Sequence, residues 1–213
     1  MRFDEYGLIL SGADSSPADM GDSCAESSRF VHLNQQIGNV APIVLSFFRT
    51  ESGYVRHPSP LLPVDWREGD TSHDQLLPLF LAMRNTRYQL GSDEMYHRIK
   101  EAGWRTGNGN LVSPMFYALL TDSKLLLNLT IVAQALIFKI PFRWSDSKRK
   151  FETTEDASGD YLNFFHASLY ASKWARWFVS KATLVAKIEH YYRNEPNSAD
   201  LIKLYKQVID LKY

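Results

Sequence analysis

Apolar and polar residues never alternate with period two for more than a few positions in this chain, whereas apolar residues recur at helical spacing along much of it. A half-buried strand needs the first pattern and an amphipathic helix the second. The expected fold is therefore all-α. It is either a single-domain multi-helix bundle or a partial α/α-toroid-like array, spanning 1–213 with a short irregular segment at 1–21. The size fits one domain. Hydrophobic residues make up 45% and charged residues 23%, a globular balance. No internal repeat is evident, and the weak candidate for a boundary is the glycine-rich loop at 103–110.

Punctuation by glycine, proline and capping residues sets the expected helices. Ser23 and Glu26 have capping-box spacing and open the first, which Gly38 and Pro42 end. A second runs from Pro42 to Thr50, burying Ile43, Val44, Phe47 and Phe48. Residues 54–70 form a long irregular loop. Ser72 and Gln75 open the third helix, which Pro78 kinks. Gly91 separates it from a helix at Ser92–Ala102. Pro114 behind Ser113 reads as a first-turn proline. Asp122–Ile140 is expected to be a buried core helix, followed by a polar loop carrying Lys148–Lys150 and Thr153–Ser158. Helices at Asp160–Tyr170 and Lys173–Tyr192 come next. The last carries Leu201, Leu204, Tyr205, Val208 and Leu211 on one side.

The formal net charge is zero, so the chain supplies no overall positive field for nucleic acid. No apolar h-region opens the sequence. The most apolar stretch, Leu125–Phe138, is too short for a bilayer span, so neither a nucleic-acid nor a membrane partner is expected. Cys24 is the single cysteine, which fits a reducing, cytoplasmic setting. Near a helix start, the dipole would favour its thiolate.

Phosphate-binding, dinucleotide, zinc-protease and nucleophile-elbow motifs are missing, and no cofactor or metal is expected. Three short polar segments remain: Gly21-Asp22-Ser23, Tyr54-Val55-Arg56-His57-Pro58, and Asp70-Thr71-Ser72-His73-Asp74-Gln75. Caps account for several of these residues. Arg56, His57, His73, Asp74 and Gln75 are left over. If the segments converge, Asp22 and Asp74 form a carboxylate pair able to divide acid and base roles. His57 or His73 would shuttle protons, Arg56 would clamp an anion, and Ser23, Tyr54 and Gln75 would contact substrate. Trp66, Trp104 and Trp144 are further candidates for stacking on sugars.

The order Gly21-Asp22-Ser23, Arg56-His57-Pro58 and Ser72-His73-Asp74-Gln75-Leu76, followed by Pro78-Leu79, resembles a set of uncharacterised phage and bacterial proteins. Their segments read G-D-[ST], R-H-P and S-R-D-Q. Asp160-Tyr161-Leu162-Asn163 looks like a fourth shared segment. His73 stands where that set more often has arginine, which removes a fixed positive charge. The helix starts are also loosely similar to those of α/α-toroid glycan-processing enzymes. The resemblance implies a phage-associated protein, in the host cytoplasm or the virion, and no established activity.

Two functions follow as expectations. The first is a hydrolase or lyase acting on a glycan or polar small molecule. The second is a non-catalytic virion or protein-interaction component whose polar cluster is a buried hydrogen-bond network. The second predicts satisfied polar partners and a sizeable apolar surface patch.

Overall fold

Helix dominates, as the periodicity requires. The computed structural model describes residues 1–10, 20–51, 53–60, 71–84, 89–137, 142–145, 150–153, 158–193 and 199–213. Among them are nine α-helices: α1 Ser23–Gln36, α2 His73–Arg84, α3 Gln89–Glu101, α4 Pro114–Leu120, α5 Lys124–Ile137, α6 Ser158–Ser168, α7 Lys173–Arg176, α8 Lys181–Tyr191 and α9 Ala199–Lys212. The all-α, multi-helix reading holds. Trp66, Asp70 and the run Lys148–Arg149 lie outside the described residues.

Contacts gather the chain into two compact units, Met1–Ser113 with Asn194–Leu211, and Pro114–Arg193 with Lys212–Tyr213. In the first, α2 packs against α1 and α3. In the second, α5 packs against α4, α6 and α7, and α8 lies on α6.

Local chemistry explains several boundaries. Gly38, at φ 78°, ends α1. The Asn39 N–H reaches the Asn34 carbonyl at 2.9 Å, and the Gly38 N–H reaches Gln35 at 3.2 Å. This is the Schellman arrangement, which caps the last carbonyls and needs a left-handed residue. Pro78 sits inside α2. The hydrogen bond it deletes would have ended on the carbonyl of Asp74, a residue on the exposed first turn, where water can replace it.

The structure differs from expectation in five places. Pro42–Thr50 is not an α-helix. Only Leu45–Phe48 makes a 3-10 turn, between extended residues at Val44 and Arg49. Ile43 and Leu45 are therefore buried while Val44 is exposed, an alternation of period two. Phe47 is exposed as well, packed edge-on against Tyr6 at 5.8 Å. Gly91 lies within α3 rather than before it. A Cβ there would meet the Met83 sulfur at 2.8 Å, so the glycine permits close packing of helices. The expected polar loop after α5 contains an antiparallel hairpin, β1 Phe142–Ser145 and β2 Lys150–Thr153, in register Phe142↔Thr153 to Ser145↔Lys150. The helix expected over Lys173–Tyr192 breaks into α7 and α8, where Ser180 starts a new helix by accepting the Thr183 N–H at 3.3 Å. Finally, α5 is not wholly buried: Leu125, Leu129, Leu136 and Ile137 are exposed.

Candidate functional site

The three polar segments converge, chiefly through backbone. The Cys24 N–H donates to the Arg56 carbonyl at 3.0 Å, joining the first segment to the second. The Gln75 Nε2 donates to the Gly21 carbonyl at 3.0 Å, joining the third to the first. Gln75 Oε1 accepts the Ser72 N–H at 3.0 Å, so the side-chain half of the expected capping box forms. Both ends of the Gln75 amide are thus used, and the residue is buried.

The other expected capping box does not form. Helix α1 starts one residue earlier than that box requires, with Asp22 as its N-cap and no cap bond from the Asp22 side chain. The Ser23 hydroxyl instead donates to the Ile9 carbonyl at 2.7 Å. One turn on, Ser27 Oγ accepts the Ile9 N–H at 2.9 Å. Two serines spaced i, i+4 on one helix face therefore satisfy both backbone groups of a buried extended residue, as a neighbouring strand would. Glu26, freed from capping, pairs with Arg29 Nη1 at 2.5 Å, both side chains being almost fully buried.

His57 is buried and fully committed. Its Nδ1 accepts the Ser59 N–H at 3.0 Å, which places the neutral ring's proton on Nε2. Nε2 donates to the Asp4 carboxylate. The other Asp4 oxygen accepts the Tyr6 and Leu8 N–H groups at 2.9 and 2.8 Å, and Tyr6 packs edge-on against the imidazole. Asp4 was not among the expected site residues. Its signal was local: an aspartate three residues before Gly7, which adopts φ 71°, is a turn signature.

Burial also shifts three titratable groups of this unit, Cys24, His32 and Tyr54. It pushes the Cys24 thiol up to about 12, against the weaker pull of Ser28, Arg29 and Arg56. The expected helix-dipole thiolate does not form, because the thiol is buried inside α1 rather than open at its tip. Burial lowers His32 to about 3, so its ring is neutral and Nε2 accepts from the Gln36 amide at 3.1 Å. The Tyr54 hydroxyl, also buried, is pushed up by desolvation and by nearby Glu94, and donates to the Gly91 carbonyl at 3.2 Å.

The expected acid and base residues sit differently. Asp22 is exposed, and the Asp74 side chain is about half exposed. His73, partly exposed, has Ser113 Oγ 2.7 Å from Nε2, while Asp74 Oδ1 stands 4.0 Å from Nδ1. An open cleft of about 380 Å³ lies in the same unit, lined in part by Tyr54, Thr71, Arg98, Glu101, Arg105 and Thr106. Of the eight expected site residues, only Tyr54 lines it. Arg98 and Arg105 reach it through α3 and the following turn, where Trp104 (φ 62°) and Gly109 (φ 80°) let the chain double back.

Among the described residues, no group of three His, Cys, Asp or Glu is placed to hold a metal, and no helix is long and apolar enough to cross a membrane. Compared with family models, curated proteins and solved structures, the chain matches none of them.

Proposed function

We propose that this chain is a non-catalytic interaction protein, with the Asp/Arg/His/Gln segments acting as its internal scaffold. One observation carries the reading: His57, the best-placed expected proton shuttle, has both ring nitrogens occupied by Asp4 and Ser59 and no face open to solvent. A general base needs a nitrogen within reach of substrate. Gln75 and Ser23 are likewise consumed by backbone partners. The resemblance to phage and bacterial proteins suits a virion or interaction component. The test is thermal stabilisation by millimolar oligosaccharides and polar small molecules. A substrate site would raise the melting temperature, and Asp22→Asn or Asp74→Asn would abolish the rise. The scaffold reading expects no rise, and near-native stability in both variants.

A second reading rests on Ser113 and His73. A hydroxyl 2.7 Å from a histidine Nε2, with a carboxylate on the far side of the ring, has the order of a nucleophile–base–orienter set. The Asp74 oxygen would have to close by about 1 Å to hydrogen-bond the ring. A fluorophosphonate probe decides it: covalent labelling of Ser113, lost in His73→Gln, supports a serine hydrolase, and an unlabelled protein removes it.

A further inference from the structure

The surface of the second unit has a character that the scaffold does not explain. Helix α5 carries Leu125, Leu129, Val132 and Leu136 at i, i+4, i+7 and i+11, a single stripe along its length. Leu125 is 70% exposed and Leu129 54%. Asn128 neighbours this stripe on the helix. Its side chain donates to Ser172 Oγ at 3.0 Å and accepts the Ser172 N–H at 2.8 Å. Lys124 Nζ donates to the Tyr170 carbonyl at 2.8 Å. These bonds hold the start of α7 against the first turns of α5. Trp174, within α7, and Trp177, just after it, are both exposed. Trp177 is 82% exposed.

The charge carried by α5 and α7 themselves has one sign. From Tyr161 to Ile188 the sequence holds Lys173, Arg176, Lys181 and Lys187 and not one carboxylate. Helix α5 holds Lys124 and no acidic residue. In sequence the flanking carboxylates are Asp122, before α5, Asp160, in α6, and Glu189, late in α8. Exposed tryptophan and leucine rimmed by lysine and arginine is the composition that settles at a bilayer interface. Indole rings sit at headgroup depth, aliphatic groups reach the acyl boundary and cations meet anionic headgroups. A second copy of the chain fits less well, because a twofold interface would bring the same cations together. Nucleic acid gives exposed leucines nothing to bury against.

We propose that the α5–α7 face seats on the headgroup layer of an anionic membrane, as a peripheral contact without a spanning helix. The inference goes beyond the scaffold reading and stands whether or not the first unit is catalytic.

Co-sedimentation of the full chain with phosphatidylcholine vesicles, with and without 30% phosphatidylglycerol added, tests it. The chain is expected to bind the anionic vesicles more tightly, and binding should weaken in high salt, which screens exposed charge. The double variant Trp174→Ser/Trp177→Ser should lose binding at least about tenfold, and Lys173→Gln about fivefold. All these side chains are exposed, so unchanged circular dichroism and melting temperature confirm that each variant folds. Equal binding to neutral and anionic vesicles, no binding to either, or binding untouched by the tryptophan variant would overturn the proposal. So would sedimentation velocity showing a dimer that the same variant dissolves, or an acidic polypeptide binding this face when vesicles do not.

Discussion

Helices α1 and α5 are each 14 residues long, and they depart from the usual inside–outside rule in opposite directions. Helix α1 is mostly polar, yet Ser23, Glu26, Ser27, Ser28, Arg29, His32 and Asn34 are all buried. Helix α5 is the most apolar stretch of the chain, yet four of its aliphatic side chains face solvent. Burial follows neighbours, not composition. α1 is enclosed because α2, the 3-10 turn and the N-terminal segment all pack on it, with Ser23 and Ser27 bonded to Ile9, although Ser28 Oγ and Arg29 Nε are buried without a hydrogen bond. α5 has partners on one side only, through Leu127, Asn128, Ile131 and Ala135. A polar interior is tolerable when each group finds a partner, and it is unforgiving when one is removed.

That difference predicts the largest effect in the chain. Glu26→Ala removes the buried carboxylate paired with the Arg29 guanidinium, and breaking a buried pair from one side costs about 4 kcal/mol. Replacing both residues by leucine should cost less than the single change, since no charge is then left uncompensated. Urea titration of the single and double variants checks this. A single variant near wild-type stability would mean that α1 is not the closed environment described.

Next in size is the Asp4–His57 clamp. Asp4→Asn puts an amide N–H2 against the His57 Nε2–H or against the Tyr6 and Leu8 N–H groups, so at least one buried donor loses its acceptor. The expected loss is about 2–3 kcal/mol. Asp22→Asn, on an exposed N-cap without a side-chain bond, should stay within about 0.5 kcal/mol. A catalytic assignment of the cluster reverses the expectation, with Asp22 abolishing activity and Asp4 affecting only stability.

What was legible in the sequence is what short-range chemistry decides. Gly38 as a helix stop, Ser72 with Gln75 as a capping pair and Pro114 as a first-turn proline each depend on residues within a few positions. The three polar segments were legible as a cluster for the same reason: polar side chains at helix starts stand out. Their use was not legible, because it depends on residues far away in sequence. Ser23 could serve as a cap or as a partner for Ile9, and only the position of the N-terminal segment decides between them. Gly91 looked like a breaker because its need, the Met83 sulfur across the helix pair, is invisible locally. The hairpin after α5 was missed because four-residue strands barely establish a period.

A smaller, pH-dependent effect separates the two helices again. His32 is held neutral, at about 3 against an ordinary 6.5. Between those values the unfolded chain binds a proton that the native chain refuses. Stability is therefore greatest above the ordinary value and declines as pH falls through the window, by about 1.4 kcal/mol per unit. From pH 7 to pH 5 this one group should cost about 2 kcal/mol. His32→Gln should flatten the slope whatever it does to absolute stability, and an unchanged slope would place the acid sensitivity elsewhere.

The smallest expected effect lies on α5, and its smallness is what gives it value. Leu125→Gln and Leu129→Gln remove apolar groups that already face solvent, so each should alter stability by less than about 0.5 kcal/mol. Leu127→Ala, two positions from Leu125 and Leu129 but buried, should cost about 2–5 kcal/mol. Chemical denaturation of the three variants measures the contrast within a single helix. Losses of similar size at all three positions would mean that the stripe is covered by the chain itself. It would then serve the fold and not a partner.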